Sequence, residues 1–357
     1  MENITMLLKS LSYLSLLTAA ASSIAIPDLP EPVSSNSIAS TTVRGKTYII
    51  SAMGMGPGKQ AADFHNKVWM HTLGEFGWTE LPQVPSQQRL TGRAAASAVA
   101  LNNNFFLFAG YTLAADGTKQ TATDSYRLDP ITRRYTRIND MPVPVDEAVA
   151  LPYQNRYIYL ASGWSDHGNV NLMQLFDNFT QGWSQATPFP GKPVFGLAGG
   201  IIGNTLLLCD GVAIEYPAHK PRNFVNEPAC WQGTIGSKPN EINWQQVPHP
   251  TGKARYRMAA TGVKVQGEEA IVFVGGSHTA HNHQGVGFNG QPAEPDSEVW
   301  VYSVTRQQWL NAQKSTAVMD LRTLLDVNGE LYTLGGMISG QQVTNKPIKH
   351  QIELLPD

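Results

Sequence analysis

One phrase recurs six times along the chain and constrains its fold more than any other feature. Apolar residues run into a small residue and a glycine: YIISAMG to Gly54, FFLFAG to Gly110, YIYLASG to Gly163, LLLCDG to Gly211, IVFVGG to Gly276 and LYTLGG to Gly336. Each copy follows a turn signal, such as Asn102-Asn103-Asn104 or Asn328-Gly329-Glu330, of the kind that supplies positive φ in a tight hairpin. A second phrase starts a strand on an aromatic and ends it in a proline turn: Trp78 to Pro85, Tyr135 to Pro142, Trp183 to Pro190 and Trp244 to Pro250. Trp309 to Thr316 keeps the Trp without the prolines. A third strand lies between the two phrases, as in Lys67–Leu73, Ser125–Pro130, Leu172–Asp177 and Glu298–Val304.

Each unit is therefore four short antiparallel strands, about 55 residues long, a period that implies radial stacking. The expected fold is all-β: a six-bladed β-propeller over 26–357. The sixth unit ends early, with one more strand expected at His350–Leu355. Ile26-Pro27-Asp28-Leu29-Pro30 reads like the outer-strand phrase LPQVP, so the N-terminal strand is expected to close the ring and cover the open edge.

Residues 1–25 read as a secretory leader. Lys9 precedes an apolar run from Leu11 to Ala21, and Ser23 and Ala25 are small residues before a cut after Ala25. An uncleaved anchor is the alternative, for which a run of roughly a dozen residues is short. The implied location is exported, periplasmic or secreted, with no membrane contact after cleavage. Cys209 and Cys230 are the only cysteines. They form either one bridge stapling a long loop or two separate buried thiols. The segment Val212 to Pro228 is too irregular to read as a regular element, and Asn178-Phe179-Thr180 is a glycosylation sequon.

The repeat architecture resembles the kelch repeat. The exported, six-unit, N-terminally closed arrangement is similar to bacterial N-acetylneuraminate epimerases, the sialic acid mutarotases. That resemblance implies a small acidic sugar as ligand and anomer interconversion as reaction. The alternative is a non-catalytic kelch module that binds a glycan or a protein partner.

Charge is scarce, at 15% of residues with a net charge of −2, so no basic excess points to nucleic acid. Charges that recur at equivalent blade positions are the informative ones. The lead-ins to the first strands carry Arg93, Asp146, Glu147, Arg255, Tyr256, Arg257, Asp320 and Arg322; the loops between strands two and three carry Tyr111, Trp164, Asp166, His167, His278, His281 and His283. Both sets face one mouth of a propeller. Arginine forks suit a carboxylate, which places Arg93, Arg255, Arg257 and Arg322 as binders, and Tyr111, Trp164 and Tyr256 can stack on a sugar ring. Asp146 or Glu147 is the expected base and His167 or His278 the expected acid. His278, His281 and His283 lie in one loop without a carboxylate at a familiar ligand spacing, so no metal is assigned. Phosphate-loop and nucleophile-elbow patterns do not occur, and no cofactor is expected.

Overall fold

The computed structural model describes residues 25–219 and 221–356; the expected leader lies almost wholly outside them. Six antiparallel sheets are arranged as the blades of a propeller. Blade 1 is Ser37–Val43, Lys46–Met55, Phe64–Thr72 and Thr79–Leu81, paired in chain order. Blades 2 to 5 repeat that four-stranded meander from Ser97, Val149, Ala198 and Ala259. Blade 6 has three strands, Leu325–Val327, Glu330–Leu334 and Pro347–His350.

The last strand thus falls earlier than the sequence suggests. Beyond it the chain turns back to blade 5, where Gln313 N donates to Glu353 O at 2.9 Å. The missing position in blade 6 is approached by the N-terminal segment. Each outer-strand aromatic donates to a carbonyl just past the fourth strand of the preceding blade: Tyr135 Oη to Pro82, Trp183 Nε1 to Asn139, Trp244 Nε1 to Thr187 and Trp309 Nε1 to Pro248. Trp78 of blade 1 donates to Pro27 O at 3.0 Å. Leu29 N donates to Asn345 O at 2.8 Å, as Val84 N does to Asn66 O in blade 1. Ile26 and Leu29 are buried with Ile49, Leu325 and Tyr332 between blades 1 and 6. The described part of this segment docks in the outer position without forming a ladder of its own.

The strand-ending glycines have a steric cause. All six have positive φ, from 83° to 117°. A Cβ on Gly163 would lie 2.7 Å from Asp146 O, and one on Gly276 would lie 2.9 Å from Tyr256 O. Each glycine lets the lead-in to its own blade's first strand press against the end of the second.

Those lead-ins build the hub. Ser35, Ala95, Glu147, Gly196, Arg257 and Asp320 occupy equivalent positions and all have φ between 51° and 64°. Ala95 N donates to Ser35 O, Glu147 N to Ala95 O, Gly196 N to Glu147 O, Arg257 N to Gly196 O, Leu321 N to Arg257 O and Ser35 N to Asp320 O, at 2.9 to 3.4 Å. A closed ring of backbone hydrogen bonds therefore circles the axis. Five of its members are not glycine and hold a left-handed conformation that costs roughly 1 kcal/mol or more each. The inter-blade bonds offset that cost.

The loop after Gly211, expected to be irregular, contains a hairpin, Val212–Glu215 with Asn223–Asn226. Similar short hairpins follow Gly110, Gly163 and Gly336, all on the mouth side of the ring.

Candidate functional site

The residue before each ring position makes an isolated bridge to the residue after the strand-ending glycine: Ala94 to Tyr111, Asp146 to Trp164, Phe195 to Val212 and Tyr256 to Ser277. These bridges hold the lead-ins and the strand two–three loops as one surface. Above blades 2 to 5 it encloses a cavity of about 170 Å³ walled by Tyr111, Lys119, Glu147, Trp164, Phe195, Arg222, Phe224, Tyr256, Arg257, His281, His283 and Phe288 among others.

Aromatic faces and cations alternate around this wall. Lys119 Nζ lies 4.2 Å from the Tyr111 ring centre and 5.0 Å from that of Trp164. The Arg222 guanidinium lies 5.4 Å from Trp164 and 5.3 Å from Phe224. Phe224 stacks on Phe288 at 4.1 Å, joining the blade 4 hairpin to the blade 5 loop. Asp146 positions Lys119: its carboxylate accepts from Lys119 Nζ at 2.7 Å and Thr121 Oγ1 at 2.8 Å. Burial pushes the Asp146 carboxyl up, and Lys119 opposes the shift.

The floor is an ion cluster on the ring. Arg257 donates to Glu147 Oε1 at 2.6 Å and Oε2 at 3.2 Å, and to Asp320 Oδ1 at 2.5 Å. Tyr256 Oη donates to Glu147 Oε2 at 2.7 Å, and Ser35 Oγ to Asp320 Oδ2 at 2.8 Å. Burial alone would raise the Glu147 carboxyl, but the positive charges of Arg257, Arg322 and Lys119 hold it far below the usual range. It is a fixed anion, not a proton acceptor.

Beside His283, whose pKa burial also lowers, His281 is the second imidazole of the pocket. Its side chain is fully buried and packs edge-on to Tyr256 at 5.1 Å. Nδ1 donates to Asn282 O at 2.9 Å, which leaves Nε2 as a lone-pair acceptor with no protein partner. Burial, then the Arg257 charge, lowers its pKa to about 4, so the imidazole stays neutral.

Of the residues the sequence singles out, Tyr111, Glu147, Trp164, Tyr256, Arg257, His281 and His283 converge here, with Asp146 beneath Lys119. Others do not. Arg93 is buried between blades 1 and 2, donating to Asn66 Oδ1, Val84 O, Pro85 O and Asp124. Arg255 holds the same repeat position in blade 5. It donates to Gly275 O and Glu298 O and lies 3.8 Å from the Trp300 ring centre. Both arginines knit the scaffold. His167 is exposed on a hairpin turn. His278 points away from the cavity, between Ala254 O and Asp296, whose hydrogen bond raises its pKa. Arg322 lies on the axial-channel side of the ring. Sequence reasoning places His281 only as a lining residue and misses Lys119 and Arg222. Their signal is position alone, since both sit on the hairpins inserted after strand two.

Cys209 and Cys230 are disulfide-bonded, facing each other across the second and third strands of blade 4. Asp210, Cys230 and His249 lie within 4.8 Å of one another, but the Cys230 sulfur belongs to the disulfide and His249 Nε2 pairs with Asp210 at 2.8 Å. That trio carries no metal site.

No protein-family profile matches the chain. Among curated proteins it is similar to Kelch-like protein 15 of Gallus gallus, 30% identical over 138 residues, and of Danio rerio, 29% identical over the same length. These matches cover 38% of this chain and 26% and 21% of those relatives. The fold is a six-bladed kelch-repeat β-propeller. The solved structure of YjhT superposes with a TM-score of 0.71 over 93% of this chain and 99% of that one, at 15% identity. At that identity the likeness speaks for the propeller, not for a shared ligand.

Proposed function

We propose that this protein is an exported carbohydrate-binding propeller that takes a single acidic sugar in the mouth cavity. The carrying observation is Trp164 with Lys119 and Arg222 both within 5.4 Å of its ring. An aromatic face suits the apolar side of a pyranose, and flanking cations suit a carboxylate. Half-buried His283 on the cavity wall adds a neutral imidazole for a sugar hydroxyl, and the small cavity suits one ring rather than a glycan chain. The leader pattern and the disulfide support export.

Anomer interconversion needs a proton removed from the anomeric hydroxyl and one delivered to the ring oxygen. Half-buried His283, whose pKa burial lowers, and the Lys119 ammonium are groups of the cavity wall with those capacities; His281 Nε2 has essentially no exposed surface. Glu147, engaged by Arg257 and Tyr256, serves the floor instead. The engagement of both expected carboxylates favours a second reading, binding without chemistry.

Calorimetric titration with N-acetylneuraminate and with neutral hexoses, beside NMR of the freshly dissolved acidic sugar, tests both. Selective binding with accelerated anomer exchange supports the mutarotase. Selective binding without acceleration supports the binding module. Failure of acidic sugars to bind better than neutral ones refutes the proposal.

A further inference from the structure

Below the ring the axial channel is a second cavity, of about 280 Å³. Its wall is made by the first strands of the blades and is mostly small, with Ala98, Ala150, Gly200 and Thr261 among its residues. Two residues after each ring position the chain places Ser37, Ser97, Val149, Ala198, Ala259 and Arg322. Five are small or medium and one is an arginine. The Arg322 guanidinium reaches from blade 6 toward Glu147 of blade 3, its Nη2 4.0 Å from Glu147 Oε2.

That pairing is incomplete. The Glu147 oxygens are already taken by Arg257 and Tyr256. The one hydrogen bond of the Arg322 side chain runs from Nη1 to its neighbour Leu321 O, at 2.8 Å. Among the described residues Nε and Nη2 have no hydrogen-bond partner, in a side chain only 7% exposed. A buried guanidinium with unsatisfied donors is costly, and evolution normally removes or pairs such a group. The acid on the channel wall, Asp326, is exposed and accepts from Gly329 N.

We propose that the inner end of this channel binds a small monovalent anion, a halide or a simple carboxylate, anchored by Arg322. The anion supplies the acceptor the fold withholds and ties blade 6 to the hub. The site is separate from the mouth cavity and does not depend on the sugar reading.

Bromide is the probe. Anomalous diffraction from bromide-soaked crystals is expected to show a peak within hydrogen-bonding distance of the Arg322 guanidinium. In solution, sodium bromide is expected to raise the melting temperature above sodium gluconate at equal ionic strength. Arg322→Gln should abolish that rise, whereas Lys119→Gln with Arg222→Gln, which removes the two cations over Trp164 in the mouth, should keep it. A folded Arg322→Gln protein that retains the rise overturns the proposal. If that variant does not fold, the wild-type map decides: bromide only in the mouth, or only water beside Arg322, overturns it.

Discussion

Reducing the Cys209–Cys230 bridge should destabilise the protein without disturbing the mouth cavity. The two residues are 21 apart in sequence and are direct neighbours in the ladder of blade 4, flanked by Leu208 opposite Trp231 and Leu207 opposite Gln232. In the folded state the backbone already holds them together. The contribution of the bridge therefore lies in the unfolded chain, where a loop of this length loses closure entropy worth about 3 kcal/mol. A chain this large would lose roughly 5 °C in melting temperature. Denaturant titrations of oxidised and reduced protein at one pH measure the difference. The reduced wild type is the better comparison than Cys209→Ala with Cys230→Ala, because it keeps both sulfur atoms packed. The hairpin carrying Arg222 and Phe224 is closed at its base by Asp210 N to Ala229 O and Glu227 N to Gly211 O. Ligand affinity below the transition should therefore be unchanged. A stability difference under about 1 kcal/mol, or a reduced form that stays folded but loses the ligand, refutes this reasoning.

Gly163→Ala should cost about 2 kcal/mol or more in denaturant melts, since φ is 108° and Asp146 O is 2.7 Å from the new methyl; a neutral result would mean the glycine signature is not steric. Arg93→Ala should cost about 3–5 kcal/mol by stranding buried Asp124 while sparing sugar affinity in whatever protein folds. Lys119→Gln should do the reverse, lowering affinity for an acidic sugar by an order of magnitude or more with a smaller loss of stability, and the two variants together separate scaffold from site. Burial holds His281 and His350 near a pKa of about 4, below their unfolded value of about 6.5. The unfolded chain therefore binds the extra protons, and stability falls as pH drops through that window, on the order of 2 kcal/mol per histidine by pH 5. His281→Gln should remove its share of that slope in pH-dependent melts.

The fold was legible because its constraints are local and repeated. A strand-ending glycine that must admit a carbonyl has no substitute, and an outer aromatic that must reach the preceding blade leaves a Trp or Tyr in the same phase of five of the six units. The likeness of Ile26-Pro27-Asp28-Leu29-Pro30 to the outer-strand phrase LPQVP, with the outer strand of the sixth unit missing, is what assigned the N-terminal segment to blade 6. The final strand was harder. Past Pro347–His350 the tail leaves its own blade for the edge of blade 5, and a contact between different repeats has no signature within one repeat.

The site was legible only as far as the repeat phase was read to single residues. Arg93 and Arg255 stand where the other blades carry Val33, Val145, Val194 and Val318. A position that is valine in four blades is a core position, and an arginine there must find its partners inside the scaffold. One residue later stand Ser34, Ala94, Asp146, Phe195, Tyr256 and Met319, the set that bridges to the mouth loops. Next come the ring residues, where Arg257 pairs with both Glu147 and Asp320 and the Arg322 charge offsets the second carboxylate. Three adjacent positions thus have three physical roles, and a reading that groups them as charged lead-ins merges scaffold, wall and floor. Lys119, Arg222 and His281 lie beyond that logic. They sit on insertions whose lengths differ from blade to blade, so no equivalent position exists for comparison, and only the three-dimensional course of those loops brings them over Trp164 and Tyr256. The same phase argument isolates Arg322. Where five blades place a small or medium side chain and one places an arginine beside a fully engaged carboxylate, the odd residue balances the ring's second carboxylate in charge but leaves hydrogen-bond donors that the ring does not satisfy.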